Sequence, residues 1–231
     1  QLAASLSSAL SDKTTDGPAI TAGAQSGFSL DLAGLQNGNN VKFSYTDTAT
    51  NTTHNVTIVR VDDPSALPLK NSATTDPNDE VIGIDFSGGL PSIVAQLNTA
   101  FGGANIQFSN PTLPTTTLNI LDDGAGGLTD INSASATSTI TSLTSGNAQL
   151  PLFTDNGVPY TGAITSNGSQ QVGLGARLAV NTALIGDPSR MVIYNTSPAT
   201  PSGDPTRANF ILSQLTSGVY SYSPNTGLGS T

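Results

Sequence analysis

Apolar positions along the chain follow different rhythms from segment to segment, and each rhythm predicts a different local structure. In "QLAASLSSALSDKTTDGP", Leu2, Leu6 and Leu10 recur every four residues with alanines beside them, the spacing that lines one face of a helix. The pattern stops at Asp16-Gly17-Pro18. Residues 1–17 are therefore expected to be the end of an amphipathic helix, the stub of a helical stalk, whose apolar stripe needs a partner helix that this sequence does not contain.

A period of two follows. In "GFSLDLAGL", Phe28, Leu30 and Leu32 alternate inward, and "VKFSYTD" with "HNVTIVRV" gives two alternating runs across a Thr/Asn-rich connection, the signature of a hairpin. A loop dense in Pro, Asp and Asn is expected from Asp62 to Glu80, and "EVIGIDFSGG" after it reads as a buried strand. "LPSIVAQLNTAFGG" returns to helical spacing, with Pro91 near its start, Ile93, Val94, Leu97 and Phe101 on one face, and Gly102-Gly103 as its stop. "ANIQFSN", "TTLNILDDG" and, from residue 133, "SASATSTITSLTSG" read as strands.

This order predicts an α+β, predominantly β fold: a β-rich domain over 18–145 containing a strand-helix-strand unit, its helix laid on a sheet. Past residue 145 the spacing turns irregular. "LPLFTDNGVPYTGAI", "DPSRMVIYN" and the helix-like "DPTRANFILSQLT" predict a smaller mixed domain with short helices over 146–231.

Composition narrows the function classes. Thr, Ser and Asn make up a third of the 231 residues while Lys plus Arg number 7, so the surface is built from neutral hydroxyls and amides. A net charge of −9 repels a phosphate backbone and leaves no basic clusters to displace its counterions, which excludes nucleic acid as an expected partner. The absence of Cys removes disulfides, thiol chemistry and thiolate metal sites together. Apolar runs fall far short of the roughly 20 residues a membrane span needs, and the amino end lacks a basic-then-apolar signal pattern, so no membrane association is expected.

Candidate chemistry is sparse. "QQVGLGARLAVN" brings Gly173 and Gly175 into a dinucleotide-loop spacing, but the third glycine position is Leu178 and polar "SNGSQQV" stands where a buried parallel strand must precede. The expectation is a glycine-bearing turn into a packed segment, with Leu178 and Val180 facing inward and no bound cofactor. "DDGAGGLTD" brings Asp122, Asp123 and Asp130 close in sequence, which leaves weak calcium binding as an open alternative. Their spacing fits no calcium loop, and turn chemistry explains an Asp-Gly pair ending a strand. His54 is the sole histidine, which rules out imidazole-cluster metal sites, and no strained nucleophile turn exists to accompany it. It reads as a solvated strand residue. Glu80 is the sole Glu, and most Asp sit in turn contexts, so no pair of carboxylates in unlike environments assembles an acid–base site. Asp47 in "TDTAT" resembles an aspartic-protease loop without the second copy such a site requires. The N-x-Ser/Thr sites at Asn51, Asn55, Asn167 and Asn195 follow from composition alone. No catalytic, metal or cofactor residues are expected, and the chain reads as a non-enzyme.

The long runs are more specific than any short motif. "SGFSLDLAGLQNGNNVKFSYTDTATNTTHNVTIVRVDDPSALPL", "DPNDEVIGIDFSGG", "LPLFTDNGVPYTGAI", "GLGARLAVNTALIGDPSRMVIYN" and "GDPTRANFILSQLT" together resemble the flagellar hook-associated protein 1 family, the hook-filament junction proteins, in the form found in alphaproteobacteria. The Arg177–Ser189 run is the strongest element, and "GGLPSIVAQLN" is similar to a strand-helix unit of flagellins. The resemblance implies a structural subunit of the bacterial flagellum that assembles with itself into a ring between hook and filament. It implies hook protein and a distal hook-associated protein as partners, an export chaperone for the full-length chain, and an extracellular location reached through the flagellar type III system without a cleaved signal peptide. It also implies that the present chain is the middle of such a subunit, monomeric without its terminal helical arms. The alternative is an adhesin-type binding module of an extracellular appendage, using the long loops at 62–80 and 195–206. A hydrolase carried on an appendage is disfavoured by the near-empty His, Cys and Glu inventory.

Overall fold

Ten residues of helix, α1 (Leu2–Ser11), open the chain in the computed structural model, which describes residues 1–70, 79–111 and 116–218. The helix ends at Ser11 rather than near residue 17, because Asp12 takes extended dihedrals (φ −86°, ψ 138°) and starts a strand. Its buried stripe also differs from the leucine pattern: Ala4, Ser7, Leu10 and Ser11 face inward while Leu2 is 51% exposed. Burial of two serines is sustained by back-bonding, Ser7 Oγ donating to Ala3 O and Ser11 Oγ to Ser7 O, each at 2.9 Å.

Strand dominates the rest, 37% against 27% helix, so the fold is α+β and predominantly β as the alternating runs predict. The chain divides into two compact units that interleave in sequence. An inserted unit takes residues 14–138 and 164–168, and a split unit takes 1–13, 139–163 and the chain from 169 on. Where a boundary near residue 145 is expected, the chain passes from one unit to the other between Ser138 and Thr139.

The inserted unit is built on β1 (Asp12–Asp16), β2 (Ala19–Ala22), β3 (Gln25–Asp31), β4 (Asn40–Asp47), β5 (Thr52–Val61), β6 (Asp79–Asp85), α2 (Gly89–Ala100), β7 (Gln107–Ser109), β8 (Thr117–Leu121) and β9 (Thr129–Thr139). One sheet runs β1-β9-β4-β5-β6 and a second runs β2-β3-β8-β7. The expected hairpin is β4 and β5, antiparallel with Tyr45 opposite His54, and β6 joins β5 in parallel. Asp79 and Glu80, expected as the end of a loop, are already in β6, while residues 71–78 of that loop lie outside the described residues.

Alternation along β4 sends Val41, Phe43 and Tyr45 inward and Lys42 outward. These side chains meet Leu30, Ile93, Leu97, Phe101 and Phe108 in the main core, which both sheets and α2 share. Phe43 anchors it with edge-on contacts to Phe101 and Phe108 at 5.4 and 5.9 Å. β5 is buried on both faces. Val56 and Ile58 enter the main core, whereas Val59 and Val61 pack with Val81 under Leu67 and Leu69, so the run "VTIV" loses its alternation.

The split unit adds β10 (Phe153–Asp155), β11 (Val158–Pro159), β12 (Ile164–Thr165), β13 (Gly168–Ser169), α3 (Leu174–Arg177), β14 (Leu178–Val180), α4 (Thr182–Gly186) and α5 (Thr206–Ser217), with β12 and most of the β12–β13 turn counted in the inserted unit. β11-β10-β14 form a small antiparallel sheet. Its core is slight: Ala4, Tyr160 and Leu174, with Ala3 and Leu178 against them. Polar clasps supplement it. Arg177 grips Asp155 in a two-pronged pair (Nε–Oδ1 2.6 Å, Nη2–Oδ2 3.0 Å) and donates to Val172 O and Gln170 O. The guanidinium holds the Asp155 carboxyl below its ordinary value.

Candidate functional site

In "QQVGLGARLAVN", Gly173 caps a single helical turn, α3, in the left-handed region (φ 72°), where an added Cβ would meet Arg177 Nη1 at 2.9 Å. Glycine is needed there for the turn. What precedes it is the two-residue β13, not a buried parallel strand. Leu178 is half-buried against α1, but Val180 is 44% exposed, contrary to the inward packing expected of it. β14 is an edge strand, and the cover that α1 and Tyr160 give to Leu178 does not extend to Val180.

Asp122, Asp123 and Asp130 are not gathered into a cage. Asp122 Oδ1 accepts from the Ser26 and Gly124 amides at 2.9 and 2.8 Å, and Asp123 accepts from those of Leu128 and Thr129. These carboxylates organise a turn, and the described residues contain no group of three or more metal-ligating side chains. The 195–206 loop is bound to itself: Thr200 Oγ1 accepts from the Tyr194 and Asn195 amides at 3.0 and 2.8 Å, and Tyr194 OH donates to Asp204 at 2.7 Å.

Two other features hold unspent chemistry. The first is a set of exposed apolar side chains concentrated in one unit. Ten large apolar side chains stand exposed among the described residues, and nine belong to the split unit although the inserted unit is the larger. Val172, Ile185 and Leu212 are 73%, 66% and 60% exposed. α5 is inside out: its one fully buried side chain is Arg207, while Leu212 and Leu215 face solvent.

Arg207 has no carboxylate partner. Its five N–H groups meet five backbone carbonyls, those of Leu143, Asn147, Ala148, Gln149 and Arg190, at 2.6 to 3.3 Å, and the guanidinium lies 5.4 Å from the Tyr194 ring centre. Every donor is matched, which is how a charge survives at 0% exposure. Burial without a counter-ion pulls its pKa down to about 10, still charged at neutral pH. The sequence offered no sign of this role, because an arginine in a short helix reads as a solvated position.

The second feature is a groove of about 480 Å³ in the inserted unit, where the face of the β4–β5–β6 sheet runs past the end of α2. Tyr45 and His54 form its floor, stacked at 4.7 Å and 11° across the hairpin. His54 is therefore half-buried against a ring rather than a solvated strand residue, as its register opposite Tyr45 requires. Asp47, Glu80, Phe101, Asn105 and Leu128 also line the groove. Tyr45 is 7% exposed, and burial, with the charges of Glu80 and Asp47, holds its phenol above the ordinary value.

No protein-family model, curated protein or solved structure matches this chain.

Proposed function

We propose that this chain is a structural, non-enzymatic assembly unit of the bacterial flagellum, part of a subunit that joins hook to filament outside the cell. The observation that carries the reading is the concentration of exposed large apolar side chains in the split unit, nine of the ten among the described residues, with α5 turning a charge inward and leucines outward. In this reading these side chains are where another chain or helix packs on the split unit. The inserted unit, by contrast, leaves one large apolar side chain, Leu128, exposed among its described residues, as expected of a domain facing solvent. The resemblance in "RLAVNTALIGDPS" supplies the assembly: self-association into a ring, hook protein on one side and a distal hook-associated protein on the other.

In this reading the subunit carrying this chain binds both partners, and the triple variant I185S/L212S/L215S, altering only exposed side chains, weakens that binding at least about tenfold while leaving the fold intact. Co-purification with each partner and electron microscopy of cells lacking the subunit test it. Cells that retain filaments on their hooks without the subunit, or a subunit that binds neither partner, overturn the reading.

A further inference from the structure

Four polar groups in the groove of the inserted unit have no hydrogen-bond partner among the described residues: the Tyr45 hydroxyl, the His54 imidazole, the Glu80 carboxylate and the Asn105 amide. The register explains why they converge. Tyr45 pairs with His54 across β4 and β5, and Glu80 pairs with Val56 two residues further along β5, so all three project from one face of the sheet. α2 covers that face as far as Phe101, after which Gly102 and Gly103 end the cover and Asn105 turns the chain away in the left-handed region (φ 56°). At the rim stands Leu128, 48% exposed, the one exposed large apolar side chain of the inserted unit among the described residues.

We infer that this groove is a receptor site for an alkylammonium group, presented by a lysine side chain or by a small free amine. Its charge is of one sign. Asp47 and Glu80 line it, and no Lys or Arg does. The C-terminal end of α2, with no basic residue in its last turn, adds the partial negative charge of a helix terminus. An anion is excluded by that field. A divalent metal lacks ligands, since Asp47 Oδ1 is committed to the amides of Ala49 and Thr50 at 2.9 and 3.2 Å and one free carboxylate remains. A sugar lacks an open ring, because Tyr45 is stacked on His54 and lies against Phe43. An ammonium fits each part: Glu80 gives a charge-assisted hydrogen bond, Tyr45 and Asn105 give neutral acceptors, the aromatic floor attracts a cation, and Leu128, Phe101 and Ala104 take the methylene stem.

His54, the only histidine, reports on the groove directly. Nuclear magnetic resonance of the 231-residue chain at fixed pH, titrated with n-butylammonium, is expected to show saturable shifts of the His54 ring signals in the millimolar range, as a single small cation with few contacts gives. Butanol and butyrate are expected to give none. E80Q, at an exposed position, is expected to keep the same thermal transition and to weaken binding about tenfold, and L128A to weaken it less. Nα-acetyl-lysine methylamide, with its ε-ammonium free, binding more tightly than butylammonium upholds the site and assigns its source to a protein side chain, while equal affinities uphold it and assign a free amine. Absence of saturable shifts to 100-fold molar excess and beyond, into the tens of millimolar (about 50 mM), equal shifts with butyrate, or unchanged affinity in folded E80Q overturns the inference.

Discussion

Tyr160 shows how much a single buried group governs in a unit with so small a core. It is 6% exposed, and burial, followed by the charges of Asp12 and Asp155, pushes its phenol up to about 12. Between the ordinary tyrosine value of 10.0 and that raised value, the folded chain keeps a proton that the unfolded chain has lost. Stability is therefore intact below pH 10 and declines as pH rises toward 12, by on the order of 2 kcal/mol. Y160F has no proton to lose. Urea denaturation of both proteins at pH 9 and pH 11.5 is expected to show the wild type losing ground to Y160F, and parallel losses would refute the assignment. At this scale the sequence was least legible. Asp122 and Asp123 stood close enough to suggest an ion, yet their carboxylates serve backbone amides, and His54 looked solvated because its partner Tyr45 is fixed only by the hairpin register.

Among elements, those with a clean period were legible and those held by polar contacts were not. The β4–β5 hairpin and α2 follow from alternation and from the Ile93/Leu97/Phe101 face. α1 departs from its leucine pattern because small residues let it approach α3 and α5 more closely than Leu2 would, and its serines satisfy themselves on the preceding turn. α5 departs further, since what fixes it is Arg207 and five carbonyls of distant residues. No periodicity encodes acceptors contributed by a loop about sixty residues upstream. R207M keeps the bulk of the side chain but leaves those carbonyls buried and unmatched, an expected cost of about 3 kcal/mol or more, and R207K can satisfy at most three of the five. Both variants are expected to lose amide protection in α5 and in residues 143–149 together while β4 and β5 stay protected, as measured by hydrogen exchange. Loss confined to α5 would show that the clasp does not hold the loop.

For the whole molecule, the fold class was legible in the alternation, but the interleaving of the two units was not, because no local pattern announces that residues 1–13 rejoin the chain after residue 139. The candidate sites divide the same way. Exposure of apolar side chains is a property of what fails to be covered, and a groove at the end of α2 depends on three strands in register, so neither has a signature in any single stretch.

That interleaving sets an order of events. α1 lies far along the chain from what holds it: the amides of Ile140 and Leu150 bond Ser11 O and Leu10 O, and Ala4 packs with Tyr160 and Leu174, all beyond residue 138. Closing so long a loop is costly for an unstructured chain and far cheaper once residues 14–138 have condensed and brought their ends together. Inserted-unit folding should thus gate split-unit folding. G27A tests this from within the inserted unit: a Cβ at Gly27 would sit 1.9 Å from Ile120 O on the paired strand β8, slowing the condensation. In refolding followed by pulsed hydrogen exchange, G27A is expected to delay protection of α1 and α3, whereas L174A, in the split unit, leaves the rate of the β4–β5 pairing unchanged. A G27A chain whose α1 is protected on the wild-type schedule would mean that the ends find each other unaided. With gating, α1 stays undocked while the inserted unit assembles, and its small-residue face is available for capture during that interval.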